Sequence, residues 1–133
     1  PGAVDRLRGC RDEDPEVIRI AAVDPANPYG ALLDWPGLRV EGTIRRVAGA
    51  TVILVGGVPA LYVDKGGRTV RCFAVDDEIL LRGVDGLKPE KGDRKAILIQ
   101  KIDGEEARYA DVADVFRQAG FVDVYQGLEF EQL

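Results

Sequence analysis

The sequence predicts an α+β domain, a small antiparallel β-barrel or strongly curved sheet carrying one or two helices. Three observations predict it. Between residues 51 and 75, apolar and β-branched runs are separated by glycine pairs, the pattern of hairpins. Residues 111–120 carry an apolar stripe at helical spacing. The chain has 133 residues, 46% of them hydrophobic, enough for one core that needs no disulfide staples.

Residues 1–16 are polar and charged and end near Pro15, so they are expected to be a lead-in or linker remnant, with a single domain over 17–133. Residues 17–23 (VIRIAAV) predict a buried strand, with helix as the alternative. Residues 24–37 (DPANPYGALLDWPG) carry three prolines and predict an ordered loop, because each X-Pro step disfavours helix for the residue before it. Tyr29, Leu32, Leu33 and Trp35 are its expected apolar anchors.

Residues 51–55, 60–63 and 68–75 predict a three-stranded meander, turning at Gly56-Gly57 and at Asp64-Lys65-Gly66-Gly67. In the third strand Thr69, Arg71 and Phe73 alternate with Val70, Cys72 and Ala74, which predicts one wetter face. Residues 76–87 predict a short helix started by Asp76 or Asp77 and limited by Gly83 and Gly86. Residues 96–102 predict a strand closed by an Asp103-Gly104 turn. A helix over 111–120 follows, with Asp111 as its cap, Val112, Val115, Phe116 and Ala119 inward, and Gly120 as its stop. Residues 122–130 predict a last strand.

The formal net charge is −5, which opposes autonomous high-affinity binding to a phosphate backbone. The charge is uneven, however. Residues 39–71 hold six basic residues against two acidic ones, so a local basic face is expected. Cys10 and Cys72 are far apart and form no framework, no leader opens the chain, and no apolar run reaches the ~18 residues of a membrane span. A cytoplasmic location is the expectation. The chain starts at Pro1 and contains no Met, which predicts a fragment of a longer protein.

Histidine is absent, as are a GxxxxGK[ST] loop, a GxGxxG turn and a CxxC pair. His-based triads, zinc sites and nucleotide hydrolysis by this segment alone are thereby disfavoured. No metal ligands are assigned. Carboxylates, Tyr hydroxyls and Arg remain for chemistry.

Asp24-Pro25-Ala26-Asn27-Pro28-Tyr29-Gly30, with Trp35-Pro36 after it, resembles the final domain of the bacterial large helicase-related (Lhr-type) proteins, long superfamily 2 ATP-dependent DNA helicases. Three further pieces agree in order: Arg46-Val47-Ala48-Gly49-Ala50, residues 60–69 (ALYVDKGGRT), and Ala119-Gly120-Phe121 leading to Gly127-Leu128. The resemblance extends from about residue 4 to residue 130. It implies a C-terminal accessory domain of a DNA-repair helicase whose ATP and Mg belong to motor domains outside this chain. It also implies preceding winged-helix modules of the same chain as partners, in an arrangement similar to bacterial glycosylases that unhook crosslinks. Uracil-glycosylase activity is linked to this end of the family. Where the family ends in a basic segment, this chain has Tyr125-Gln126-Gly127-Leu128-Glu129-Phe130-Glu131, so its tail is not expected to touch phosphate.

Three functions follow as expectations: DNA contact or assembly of the C-terminal region, a share in a DNA (uracil) glycosylase active site, and a structural cap for a homo-oligomer. The implied DNA is single-stranded or branched, and no membrane is implied. For contact, Asn27, Tyr29 and Trp35 could meet a base, by an amide on its edge and by aromatic stacking. The alternative is that they only pin the loop. Arg45, Arg46, Lys65, Arg68 and Arg71 could meet phosphate, or could be a solvated face. For base excision, Asp24 is the first candidate carboxylate, with Glu129 and Glu131 behind it. Cys72 is expected to be a small core residue.

Overall fold

The computed structural model describes residues 15–89 and 96–131, so all but Pro15 and Glu16 of the expected lead-in, with Cys10, lies outside the described residues. Along the chain run β1 (Val17–Ala21), β2 (Thr51–Val55), β3 (Val58–Val63), β4 (Thr69–Cys72), α1 (Asp77–Asp85), β5 (Ala96–Ile99), β6 (Lys101–Ile102) and β7 (Glu105–Glu106). A 3-10 turn (Ala107–Tyr109), α2 (Ala113–Gln118), β8 (Val122–Val124) and β9 (Gly127–Glu131) complete it.

The predicted meander is present as β2, β3 and β4, all antiparallel. Gly56 and Gly57 both take positive φ (59° and 86°), as a two-residue turn matched to strand twist requires. A bulge between Ile53 and Leu54 bends β2. The sheet extends to six strands in the order β1-β2-β3-β4-β6-β7, and a separate three-stranded sheet has the order β5-β9-β8. The fold is α+β, but these two sheets do not close into a barrel. Nor is pairing wholly antiparallel, because β4 and β6 run parallel.

The large sheet is covered on both faces, which is why Val52, Ile53, Leu54 and Val55 are all buried. On one face Ile53, Leu61, Val70 and Cys72 pack with α1, α2 and the small sheet, around Leu80, Phe116 and Phe121. On the other face Val52, Leu54, Tyr62 and Phe73 pack under residues 22–50, the long connection from β1 to β2. Phe73 was expected on a wetter face. It is fully buried because Trp35 stacks over it, with ring centroids 6.0 Å apart.

Several expectations are corrected. β1 is an exposed edge strand, with Val17 and Ile18 each 38% exposed, because only β2 pairs with it among the described residues. Leu32 and Leu33 are not anchors: they are 88% and 51% exposed at the tip of their loop. The third strand of the meander is shorter than predicted. The run 96–102 is two strands in two sheets, since Gln100 and Lys101 turn their N–H groups to the Arg68 carbonyl. The last strand is a hairpin, β8 against β9, folded back at Tyr125-Gln126.

The helices follow their local signals more closely. Asp76 caps α1, its carboxylate accepting the Ile79 N–H at 2.9 Å. Gly83 does not end α1 but lets it close onto Ala60 and Leu61, and Gly86 terminates it. The expected inward stripe of α2 is buried and Gly120 follows it, but Val112 rather than Asp111 is the cap residue, with no side-chain cap bond. No helix among the described residues is long and apolar enough to cross a membrane.

Beyond Ile102 the parallel partner of β4 turns away, and the Asp103 carboxylate takes its place, accepting the Cys72 N–H at 2.8 Å. Asp103 is 8% exposed. Burial pushes its pKa up, while the hydrogen bonds from Cys72 and the Arg71 and Arg39 charges oppose the shift. Burial and the neighbouring Asp103 also push the Cys72 thiol up, as befits a core cysteine. Asp103→Ala should cost about 1–3 kcal/mol by stranding the Cys72 N–H, whereas Asp103→Asn keeps an acceptor and should be close to neutral. A raised folded pKa means that the folded state holds this proton more tightly. The contribution of Asp103 to stability is therefore full below the ordinary carboxylate range and lost as pH rises through the raised value. Urea melts across acid to neutral pH should show that component in the parent chain and not in Asp103→Asn.

Candidate nucleic-acid interface

The prolyl loop is fastened from beneath. Asp24 accepts the Ala26 N–H at 2.8 Å, closing an Asx turn. Asn27 is fully buried: its amide donates to the Ala22 carbonyl at 2.7 Å and accepts the Tyr29 N–H at 3.1 Å. Arg46 reaches under the same loop and donates to the carbonyls of Asp24 and Asn27 at 3.1 and 3.2 Å. Its buried Nε has no hydrogen-bond partner among the described residues. Tyr29 donates to the Gly57 carbonyl and stacks on Trp35, which also meets the edge of Tyr62. Asn27 and Arg46 therefore sit inside the loop's support, while Tyr29 and Trp35 remain half-buried on its side.

Residues 38–47 run across the outer face of the sheet. Arg39 donates its backbone N–H to the Cys72 carbonyl and Tyr62 donates its hydroxyl to the Arg45 carbonyl at 2.6 Å. Burial pushes the Tyr62 phenol up, so it stays a donor. Thr43 and Ile44 line two neighbouring hollows. One hollow, of ≈ 490 Å3, lies between Trp35, Leu38, Glu41 and Ile44. The other is a cleft of ≈ 300 Å3 with Thr43 and Arg45 on one wall and Tyr62, Asp64, Thr69 and Arg71 on the other.

No protein-family profile matches the chain. Over 140 residues it is 34% identical to a protein of Mycolicibacterium smegmatis named Lhr helicase/probable uracil glycosylase, an alignment covering 94% of this chain and 9% of that protein. Along nearly its whole length the chain matches a segment of an Lhr-type helicase. A second Lhr protein, named Lhr helicase/uracil glycosylase, from Escherichia coli, is 28% identical over 137 residues, covering 96% of this chain. The chain thus spans 9% of the length of either curated relative.

Within this segment the predicted basic residues do not converge on one point. Arg45 and Arg71 share the cleft, whereas Arg46, next along the chain, points under the prolyl loop. Lys65 lies at the adjacent turn with its aliphatic stem against Gly49, and Arg68 is exposed beyond it. Asp24 is half-buried on the loop and does not line the cleft. Sequence reading missed Thr43, Thr69 and Asp64 as cleft walls, and it saw Asp103 only as a turn residue. No local signal marks the first three: sheet register brings Asp64 beside Thr69, just past the Val63–Val70 pair, and the 38–47 segment lays Thr43 against them.

Proposed function

We infer that this Lhr-like segment is a non-motor accessory domain at the C-terminal end of a DNA helicase, and that it holds a single DNA strand along residues 41–47. One observation carries the reading: Arg45 and Arg71 line a cleft that shares Thr43 and Ile44 with a hollow walled by Trp35. Cationic side chains that track the backbone hold single strands without regard to sequence, and the edge of Trp35, already stacked on Tyr29 and Phe73, bounds the neighbouring hollow. The −5 net charge keeps such contact weak in isolation, so preceding winged-helix modules contribute the remaining affinity. Among the described residues no three potential ligands gather to hold a metal. ATP and Mg belong to motor domains of the longer protein.

The test is a fluorescence anisotropy titration of the 133-residue chain with a single-stranded oligonucleotide at several salt concentrations. Affinity should fall as salt rises. Because log K for single strands falls with log salt by about 0.7 per phosphate contact, Arg45→Ala should flatten the slope by about that amount. A flat titration at low salt contradicts the reading.

The names of both relatives favour a second role, a share in uracil excision. Asp24 is the carboxylate for it. Asp24→Asn retains an acceptor for the Ala26 N–H, so the loop should stay closed. In the longer protein, excision of uracil from DNA should then be lost while the domain stays folded. Unchanged turnover would remove Asp24 from that role.

A further inference from the structure

Arg71 differs from the other basic residues near the cleft in how it is housed. A β-carbon added to Gly42 would lie 2.7 Å from its Nη1 and 2.8 Å from its Cζ, so the guanidinium rests directly on the Gly42 backbone. A β-carbon on Gly104 would be 3.8 Å from the same nitrogen. Asp103, next to Gly104, is the buried carboxylate that bonds the Cys72 N–H. The Arg71 side chain thus passes between two residues that lack side chains and lies near a fixed negative group. Its position is set before any ligand arrives, which removes much of the ordering cost of gripping one.

We propose that Arg71 is a preorganised phosphodiester clamp, and that the cleft it shares with Arg45 seats one unpaired nucleotide. This deepens the single-strand reading and rests on it. A guanidinium offers two parallel donors to phosphate oxygens, a geometry an ammonium cannot reproduce. The Thr43 and Thr69 hydroxyls supply neutral partners, and Asp64 at the far end repels a second phosphate. That polarity directs the backbone to Arg71 and the base towards Asp64, whose carboxylate accepts from amino and imino groups on an exposed base edge. In a duplex those groups are already paired, so the seat fits single-stranded DNA.

Gly42→Ala tests the clamp without removing a charge. Gly42 has no left-handed φ, and the atoms nearest its added methyl belong to the Arg71 guanidinium, which can be pushed aside without moving backbone. The fold should therefore survive with Arg71 displaced, shown by an unchanged thermal midpoint. Single-strand affinity of the 133-residue chain should fall about tenfold, the size expected on losing a charge-assisted pair. Arg71→Lys, which keeps the charge, should weaken binding to a similar extent, and the same oligonucleotide in a duplex should bind more weakly than the free strand. Full affinity in Gly42→Ala and Arg71→Lys would overturn the clamp and leave the wider single-strand reading standing. Equal affinity for duplex and single strand would overturn the one-nucleotide seat. No binding by the unsubstituted chain would overturn both.

Discussion

Gly127→Ala is expected to be the most damaging single methyl in the domain. Gly127 opens β9 with φ at 155°, and an added β-carbon would fall onto the Ile99 carbonyl oxygen and within 3.1 Å of Gln100 Cα. Both obstacles are backbone, so no side chain can swing away. Enforced backbone strain costs about 1–3 kcal/mol and overpacking a further ~1–3 kcal/mol. A combined loss of about 4 kcal/mol is a large share of the ~5–15 kcal/mol that holds a typical domain. It acts where β5 meets β9 and where Leu128 and Ile99 enter the core beside Phe116. The thermal midpoint should drop by on the order of 15 °C, as followed by calorimetry. Gly57→Ala is the control: its φ is also positive, at 86°, but no atom of the described residues lies within 4 Å of an added β-carbon, so only strain of about 1 kcal/mol is expected.

Asn27→Ala should have the second largest effect. The substitution leaves the Ala22 carbonyl and the Tyr29 N–H without the partners they now have at the base of the prolyl loop. Each stranded buried group costs about 1–3 kcal/mol, so a loss of about 3 kcal/mol is expected in urea unfolding. The loop carries Tyr29 and Trp35, and through them the cover over Phe73, so the damage spreads into the outer core. Asn27→Asp keeps the shape but turns a carboxylate towards the Ala22 carbonyl, and it should be destabilising as well, although Arg46 nearby softens the effect. Single-strand affinity of the folded fraction should be unchanged, because the Asn27 amide is already engaged. A variant that keeps full stability and loses affinity would instead return Asn27 to the ligand.

The local features of the fold were legible. Glycine pairs marked the hairpin turns of the meander, Asp76 marked the start of α1, and Gly120 marked the end of α2. These signals act within a few residues, where side-chain and backbone preferences decide the outcome. The pairing of distant segments was not legible. Nothing in AILIQKI tells that its first half joins β9 and its second half β4, because a continuous apolar run reads the same in one sheet or two. The edge position of β1 was hidden for a similar reason, since VIRIAAV has the composition of a buried strand.

The candidate site was legible as a region and not as a geometry. The basic excess over residues 39–71 and the distinctive prolyl loop both pointed to the outer face. Arg45 and Arg46 looked equivalent as a dibasic pair, yet adjacent side chains on an extended segment point to opposite sides. Arg45 lines the cleft and Arg46 supports the loop. Asp103 could be seen only as half of an Asp-Gly turn. Its burial beside Cys72 depends on β4 lying parallel to β6, a pairing across more than thirty residues.

The most direct measurement is an amide chemical-shift map of the 133-residue chain titrated with a single-stranded oligonucleotide at low salt. Progressive shifts are expected to concentrate at Gly42, Thr43, Ile44 and Arg45, at Asp64, Thr69 and Arg71, and at Gly104 behind the Arg71 guanidinium. The amides of α2 and the β8–β9 hairpin, on the far side of the sheet, should stay in place. Shifts centred on the far side, or none at all with the cleft unperturbed at saturating oligonucleotide, would contradict the single-strand reading.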